Sequence, residues 1–190
     1  MSYYGLPVVV AVNRFAHDTE AEMNIIKDHC RELGVRCAFS EAFSKGGEGA
    51  IELANAVIET LDEGKKNFHF LYDVEAPIKQ KIEAVATRIY GAGAVTYSKE
   101  AEKAIAQMEA DGYGKLPVCI AKTQASLTDD SKVKGAPRGW TLSVREVMLS
   151  AGAGFVVPVC GTLTLMPGLP KVPAAMRMDL TDDGRIVGLK

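Results

Sequence analysis

The chain opens with a run of β-branched apolar residues that ends abruptly in polar ones. Residues 6–12 hold four valines, and Asn13 and Arg14 follow directly, ahead of the aromatic Phe15. A continuous valine-rich run is typical of a strand buried on both faces of a parallel α/β sheet. Ligands of such sheets bind just beyond the carboxyl ends of the strands, so the sequence predicts a binding site at these residues.

Residues 19–61 alternate between helical and strand patterns. Thr19 and Glu22 form a capping-box motif at the start of a predicted helix, which ends at Gly34. A short strand is predicted at 35–39, and a second helix after the glycine-rich turn at 46–49. We expect the inner face of that second helix to consist of Ile51, Ala54, Ile58 and Leu61. Strand, helix, strand and helix joined by short connections indicate parallel α/β units.

The rest of the chain continues this alternation and then turns to strands. Two further helices are predicted, at 77–91 and 98–112. Three further strands are predicted, at 116–121, 140–149 and 155–159. Three prolines within residues 162–175 argue against regular structure there, and residues 178–189 predict a hairpin. The expected fold is α/β, with a mainly parallel sheet flanked by helices and a β-rich C-terminal tail, in one domain over residues 1–190 behind a leader or cloning remnant at 1–5.

Composition narrows the functional classes. Twenty-two basic and 24 acidic residues give a formal charge of −2, which lacks the electrostatic footprint of nucleic-acid or acidic-membrane binding. No apolar run approaches a membrane span and no signal-peptide pattern opens the chain, so we expect a cytoplasmic protein. The four cysteines form no CxxC pair, which argues against zinc and against a disulfide framework.

Two polar motifs are candidates for ligand binding, each with an ordinary alternative. Asn13 and Arg14, followed by Asp18, are similar to the strand-end element with which many nucleotide binders hold a base, since an amide can both donate and accept; a turn, a solvated arginine and a helix cap explain them equally well. The turn formed by Gly46, Gly47, Glu48 and Gly49 precedes a helix and is suited to an anion, but also to a simple tight turn. The chain contains no GxxxxGK[ST] phosphate loop.

Phe15 and Phe43 occupy equivalent positions just after the first and second predicted strands. Two aromatic rings at neighbouring strand ends can hold a flat heterocycle between them, at about 1–3 kcal/mol per stack. The alternative for each ring is ordinary packing beneath a loop. The three histidines show no carboxylate at metal-ligand spacing, and we assign no metal ligand and no catalytic residue.

Collinear blocks along nearly the whole chain resemble formate–tetrahydrofolate ligases. The residues that carry the resemblance are VVVAVNRFAHDTEAE, SEAFSKGGEGAIELA, FLYDVEAPIKQKIEAVATRIYGA, LPVCIAKTQASLTDD, TLSVREVMLSAGAGFVVP and MPGLPKVPAAMRMDL. They match only the C-terminal third of such an enzyme, without its N-terminal phosphate-loop part.

The resemblance implies ATP-dependent joining of formate to tetrahydrofolate, through formyl phosphate, to give 10-formyltetrahydrofolate. It implies that Phe15 and Phe43 hold the folate ring, with Asn13, Arg14 and the turn at 46–49 forming a wall towards the ATP site. Phe43 departs from the tryptophan typical of the family. ATP and Mg²⁺ belong to the full-length enzyme, and we expect this chain alone to be inactive.

Two further expectations follow from a fragment of a larger enzyme. The chain should expose apolar surface where its missing N-terminal neighbour lies, and we therefore predict self-association into a homo-oligomer. The alternative function is a non-catalytic module that keeps a pterin or nucleotide pocket.

Overall fold

The computed structural model describes residues 1–161 and 171–188. Five α-helices lie in this part of the chain: α1 (Glu20–Glu32), α2 (Ala42–Lys45), α3 (Ile51–Asp62), α4 (Ile78–Arg88) and α5 (Lys99–Ala110). Seven strands lie there as well: β1 (Val9–Asn13), β2 (Arg36–Ser40), β3 (Ala94–Tyr97), β4 (Thr141–Ser150), β5 (Phe155–Cys160), β6 (Asp179–Leu180) and β7 (Ile186–Val187). The predicted α/β class with strands at the C-terminal end is confirmed.

The first half of the chain builds a two-stranded parallel sheet. β1 pairs with β2 from Val9 opposite Arg36 to Asn13 opposite Ser40. The predicted capping box is present, because the Thr19 hydroxyl accepts from the backbone N–H of Glu22 and the Glu22 carboxylate accepts from the backbone N–H of Thr19. The register places the carboxyl ends of both strands side by side, and the cap starts α1 shortly after β1.

The second half contains the main core. β4 pairs in parallel with β3 and antiparallel with β5, and α4 and α5 pack on this sheet through a shared apolar cluster. Its largest fully buried members are Ile78, Ile82, Leu142, Val144 and Val156. The hairpin of β6 and β7 closes the described chain. Most of the proline-rich stretch, residues 162–170, lies outside the described residues.

The segment predicted as a strand at 116–121 forms only two isolated parallel bridges to β5, Val118 with Val156 and Ala121 with Val159. The backbone N–H groups of Cys119 and Ala121 donate to Val156 and Pro158. A continuous parallel ladder would need the residue at 158 to donate back to Cys119. Proline has no N–H, so Pro158 interrupts the ladder and the strand prediction is wrong in this respect.

Two further expectations were wrong and one strand was missed. All five residues of β1 are half-buried or exposed, although their sequence predicts burial on both faces. The stripe predicted as the inner face of α3 points outward, because the helix packs on β2 with its opposite side. β3 was not predicted, since its four residues are too few to show an alternating pattern.

A lysine lies inside the second half. The Lys81 side chain is fully buried, and its ammonium donates to the carbonyl oxygens of Val74, Gly114 and Leu116 at 3.0, 2.5 and 2.7 Å. Burial lowers the pKa of Lys81, and the carboxylates of Glu109 and Glu75 oppose that change. The ammonium connects the segment after α5 to α4.

Across the described residues, no helix combines the length and apolarity needed to cross a membrane.

Candidate functional site

The chain turns sharply where β1 ends. The backbone N–H of Arg14 donates to the Ser40 carbonyl at 2.8 Å and so extends the ladder by one residue. The backbone N–H of Phe15 donates to the Asp18 carboxylate at 2.7 Å, and the Asp18 N–H donates back to the Phe15 carbonyl at 3.1 Å. This closed turn lies between β1 and α1 and leaves the Phe15 ring half exposed.

A second compact turn follows β2. The Glu41 N–H donates to the Gly49 carbonyl at 2.9 Å, and the Lys45 N–H donates to the Glu41 carbonyl at 2.9 Å. A Cβ at Gly49 would lie 2.6 Å from the Glu41 backbone, so only glycine permits this close approach. The glycine turn, a 3₁₀ helix over Gly46–Ala50, thereby folds back on Glu41 and holds α2, which carries Phe43.

The two turns bring Phe15 and Phe43 into contact. Their ring centroids are 5.8 Å apart and their planes are inclined by 55°. Phe43 is 88% exposed and Phe15 52% exposed, so neither ring is part of the core. A flat ring held between them needs centroids about 7 Å apart, twice the optimal carbon–carbon separation. Holding a flat ring therefore requires the two rings to separate by roughly 1 Å and to turn towards parallel planes. Phe43 is almost fully exposed on a four-residue helix, so its ring has room for both movements.

A cavity of about 690 Å³ opens beside these rings. Its described lining consists of Arg14, Phe15, Ala16, His17, Asp18, Glu41, Phe43, Ser44 and Lys45. The Lys45 ammonium donates to the Glu41 carboxylate at 2.7 Å, and Arg14 pairs with Glu20. The hydrogen bond from Lys45, with the charges of Lys45 and Arg14, lowers the pKa of Glu41. The rim is thus both aromatic and charged, with two cations already paired to carboxylates.

The structure brings some of the predicted site residues together and leaves others apart. Arg14, Phe15 and Phe43 line the cavity. Asn13 is exposed at the end of β1, and the 3₁₀ helix over Gly46–Ala50 is hydrogen-bonded to Glu41 next to α2. Neither Asn13 nor this 3₁₀ helix lines the cavity of about 690 Å³. The sequence reasoning did not select Glu41 and Lys45, although their i,i+4 spacing is the signal of an ion pair on one helical turn.

A second cavity, of about 490 Å³, lies in the aromatic segment after α3 and is lined by Tyr4, Phe70, Leu71, Tyr72, Asp73, Val74 and Pro117. Its walls are mostly apolar, and Asp73 supplies their carboxylate. The Tyr72 hydroxyl already accepts from the Val118 N–H at 3.1 Å. With fewer groups able to orient a polar heterocycle, this cavity is the weaker candidate for such a ligand.

Metal-binding geometry is not formed by the described residues: no group of three or more His, Cys, Asp or Glu side chains among them is arranged to hold an ion. The four cysteines are unpaired as disulfides. At the main cavity, the aromatic rings offer stacking and the charged side chains offer hydrogen bonds and ion pairs.

Comparison with known proteins identifies the family. The profile of the formate–tetrahydrofolate ligase family matches residues 1–190. The chain belongs to this family. A formate–tetrahydrofolate ligase of Symbiobacterium thermophilum is 52% identical over 186 residues, which cover 98% of this chain and 33% of the relative. Formate–tetrahydrofolate ligase 3 of Rubrobacter xylanophilus is 49% identical over 194 residues, which cover 98% of this chain and 34% of the relative.

The resemblance found in the sequence is therefore confirmed along the whole chain. The chain spans about a third of the length of these ligases. The cavity between the ends of β1 and β2 lies in the segments that carried the resemblance, around NRF and KGGEG.

Proposed function

We propose that this chain is the folate-side part of a formate–tetrahydrofolate ligase, an enzyme that joins formate to tetrahydrofolate with ATP and yields 10-formyltetrahydrofolate. One observation carries the proposal: the rings of Phe15, which follows β1, and Phe43, on α2 directly after β2, meet with their centroids 5.8 Å apart at the mouth of a charged cavity. This arrangement suits a flat pteridine with a polar edge.

In this proposal the two phenylalanines bind and orient the pteridine ring, and the cations at the rim receive anionic groups of the substrates. Arg14 and Lys45 are already paired with Glu20 and Glu41. When an anionic substrate binds, each of these cations exchanges a carboxylate partner for the substrate's anionic group, and no unpaired cation has to be desolvated. Asn13 and the turn at Gly46–Gly49 form the wall towards the ATP site.

The transfer of a phosphoryl group is assigned to the rest of the enzyme. Phosphoryl transfer needs a phosphate-binding loop and a metal ion that neutralise developing charge, and this chain has no GxxxxGK[ST] motif. We therefore place the sites for ATP and Mg²⁺ in the remaining polypeptide. The chain by itself should form no product from ATP, formate and tetrahydrofolate, and the remaining polypeptide added in trans should restore the activity. A silent mixture would favour the non-catalytic binding module.

Calorimetric titration of this chain with tetrahydrofolate under anaerobic conditions tests the site. Phe43→Ala should weaken binding by about 5- to 100-fold, the loss of one stacking interaction. Phe70→Ala, which removes another highly exposed phenylalanine outside this cavity, is the matched control and should bind as the unsubstituted chain does. Equal affinity for both variants would remove Phe43 from the site, and absence of binding by the unsubstituted chain would contradict the proposal.

A further inference from the structure

Helix α3 is apolar on two opposite sides. Leu53, Ala56 and Thr60 are buried or half-buried against β2. On the other side, Ile51, Ile58 and Leu61 are 55, 55 and 70% exposed, and Ala54 between them is exposed as well. At about 100° per residue these four positions fall within an arc of roughly 80° and form one continuous stripe, here called the outer stripe of α3.

Such a helix is not built for a surface position. A surface helix has one apolar face, whereas a helix that is apolar on two sides is found between two packed layers. Single exposed apolar residues are common, but four at helical spacing form a contiguous patch of the kind that marks an interaction site.

The neighbouring strand β1 is also less buried than its sequence predicts. β1 has the valine-rich sequence of a strand with layers on both sides, yet its residues are half-buried or exposed. The half of the chain from β1 to α3 contributes three buried apolar residues to the described structure, Met23, Cys30 and Ala38. Both features indicate that another layer packs on this half.

The edge of the stripe restricts the chemistry of the partner. Glu52, Glu59 and Asp62 follow one border of the outer stripe, and α3 carries no basic residue. Glu59 is held loosely by Arg36 at 3.7 Å. A partner that covers the stripe therefore presents an apolar face with basic residues along one side.

We propose that the outer stripe of α3 is the docking surface for the remaining polypeptide of the ligase. This proposal rests on the proposed function, and two facts favour this occupant over a second copy of the chain. About two-thirds of the length of the related ligases lies outside this chain. Ile51, the first residue of the stripe, directly follows the 3₁₀ helix that supports α2 and Phe43. A partner bound to α3 would therefore lie next to the cavity, close enough to bring its ATP site to the proposed folate site.

The test co-expresses this chain with the remaining two-thirds of the Symbiobacterium ligase polypeptide and measures the complex by size-exclusion chromatography with light scattering. Leu61→Glu places a charge in the stripe, and Ile25→Glu, at an equally exposed position on α1 (70% in both cases), is the matched control. We expect a stable complex with the unsubstituted chain and with Ile25→Glu, and affinity at least tenfold weaker with Leu61→Glu.

Three kinds of result would overturn the docking surface. The first concerns the mixed complex: either Leu61→Glu retains it or the unsubstituted chain does not form it. The second is a self-complex of the chain that Leu61→Glu abolishes while no mixed complex forms. The third is unfolding of isolated Leu61→Glu, because that would place the stripe in the chain's own core. Tetrahydrofolate binding, measured on the same samples, separates the two proposals. Failure to bind tetrahydrofolate contradicts the proposed function, whereas formation of the mixed complex tests only the docking surface.

Discussion

The carboxylate of Asp18 accepts a hydrogen bond from the backbone N–H of Phe15 at 2.7 Å. This contact closes the turn between β1 and α1 and fixes the backbone from which the Phe15 ring projects. Asp18 is therefore a positioning residue for the ring. It acts on the backbone of Phe15 and makes no hydrogen bond to the ring itself.

Asp18→Ala should weaken tetrahydrofolate binding by about 2- to 10-fold, the value of one hydrogen bond of about 0.5–1.5 kcal/mol. Asp18→Asn should restore most of the affinity, because an amide oxygen also accepts from the N–H. Titration calorimetry measures both, with Asp28→Ala on the exposed face of α1 as the control. A fall in melting temperature without a change in affinity would instead indicate a purely structural role.

Phe43→Trp should strengthen tetrahydrofolate binding several-fold. The indole offers a larger stacking surface than the phenyl ring, and Phe43 has room for it because its side chain is almost fully exposed. The gain is measured by the same titration, against Phe70→Trp as a control for added aromatic surface. An unchanged or lower affinity would show that the ring at position 43 does not stack on the ligand.

Lys81→Met should lower the free energy of unfolding by about 3 kcal/mol, because three carbonyl oxygens lose the buried ammonium that donates to them. Urea unfolding followed by circular dichroism measures the difference. Lys79→Met is the matched control. Lys79 lies two residues before Lys81 on the same helix, and its side chain is partly exposed and paired with Glu102 at 2.7 Å. Its loss should cost less than about 1 kcal/mol. Equal effects of both variants would contradict the role of the buried ammonium.

The thiols should differ sharply in reactivity. Burial raises the pKa of Cys160 to about 12, so at pH 8 its sulfur stays protonated and lacks the thiolate that reacts with disulfide reagents. Cys119 is exposed and should account for the fast phase with dithiobis(nitrobenzoate) in the folded protein. Cys119→Ser should abolish that phase, and denaturant should expose the remaining thiols. A fast phase that persists in Cys119→Ser would contradict this assignment.

The local pattern of the sequence was sufficient for much of the fold. The capping box at Thr19 and the helix after Ser98 depend on residues three or four positions apart, and such spacing acts within a single turn of helix. The prediction that Phe15 and Phe43 are neighbours rests on a general rule of sheets instead, since the carboxyl ends of adjacent parallel strands meet at one edge. The break at Pro158 was not predicted, because it depends on which strand lies opposite.

The sequence by itself determined the α/β class, the family and the two aromatic positions after β1 and β2, because these follow from periodicity and from the order of residues along the chain. Only the tertiary structure decided that the two rings touch at 5.8 Å, that Lys81 is enclosed by carbonyls, and that α3 turns its stripe outward. These features depend on which layers are available to cover each face. A helix with two apolar sides, such as α3, packs one side on the sheet it has and leaves the other for a partner.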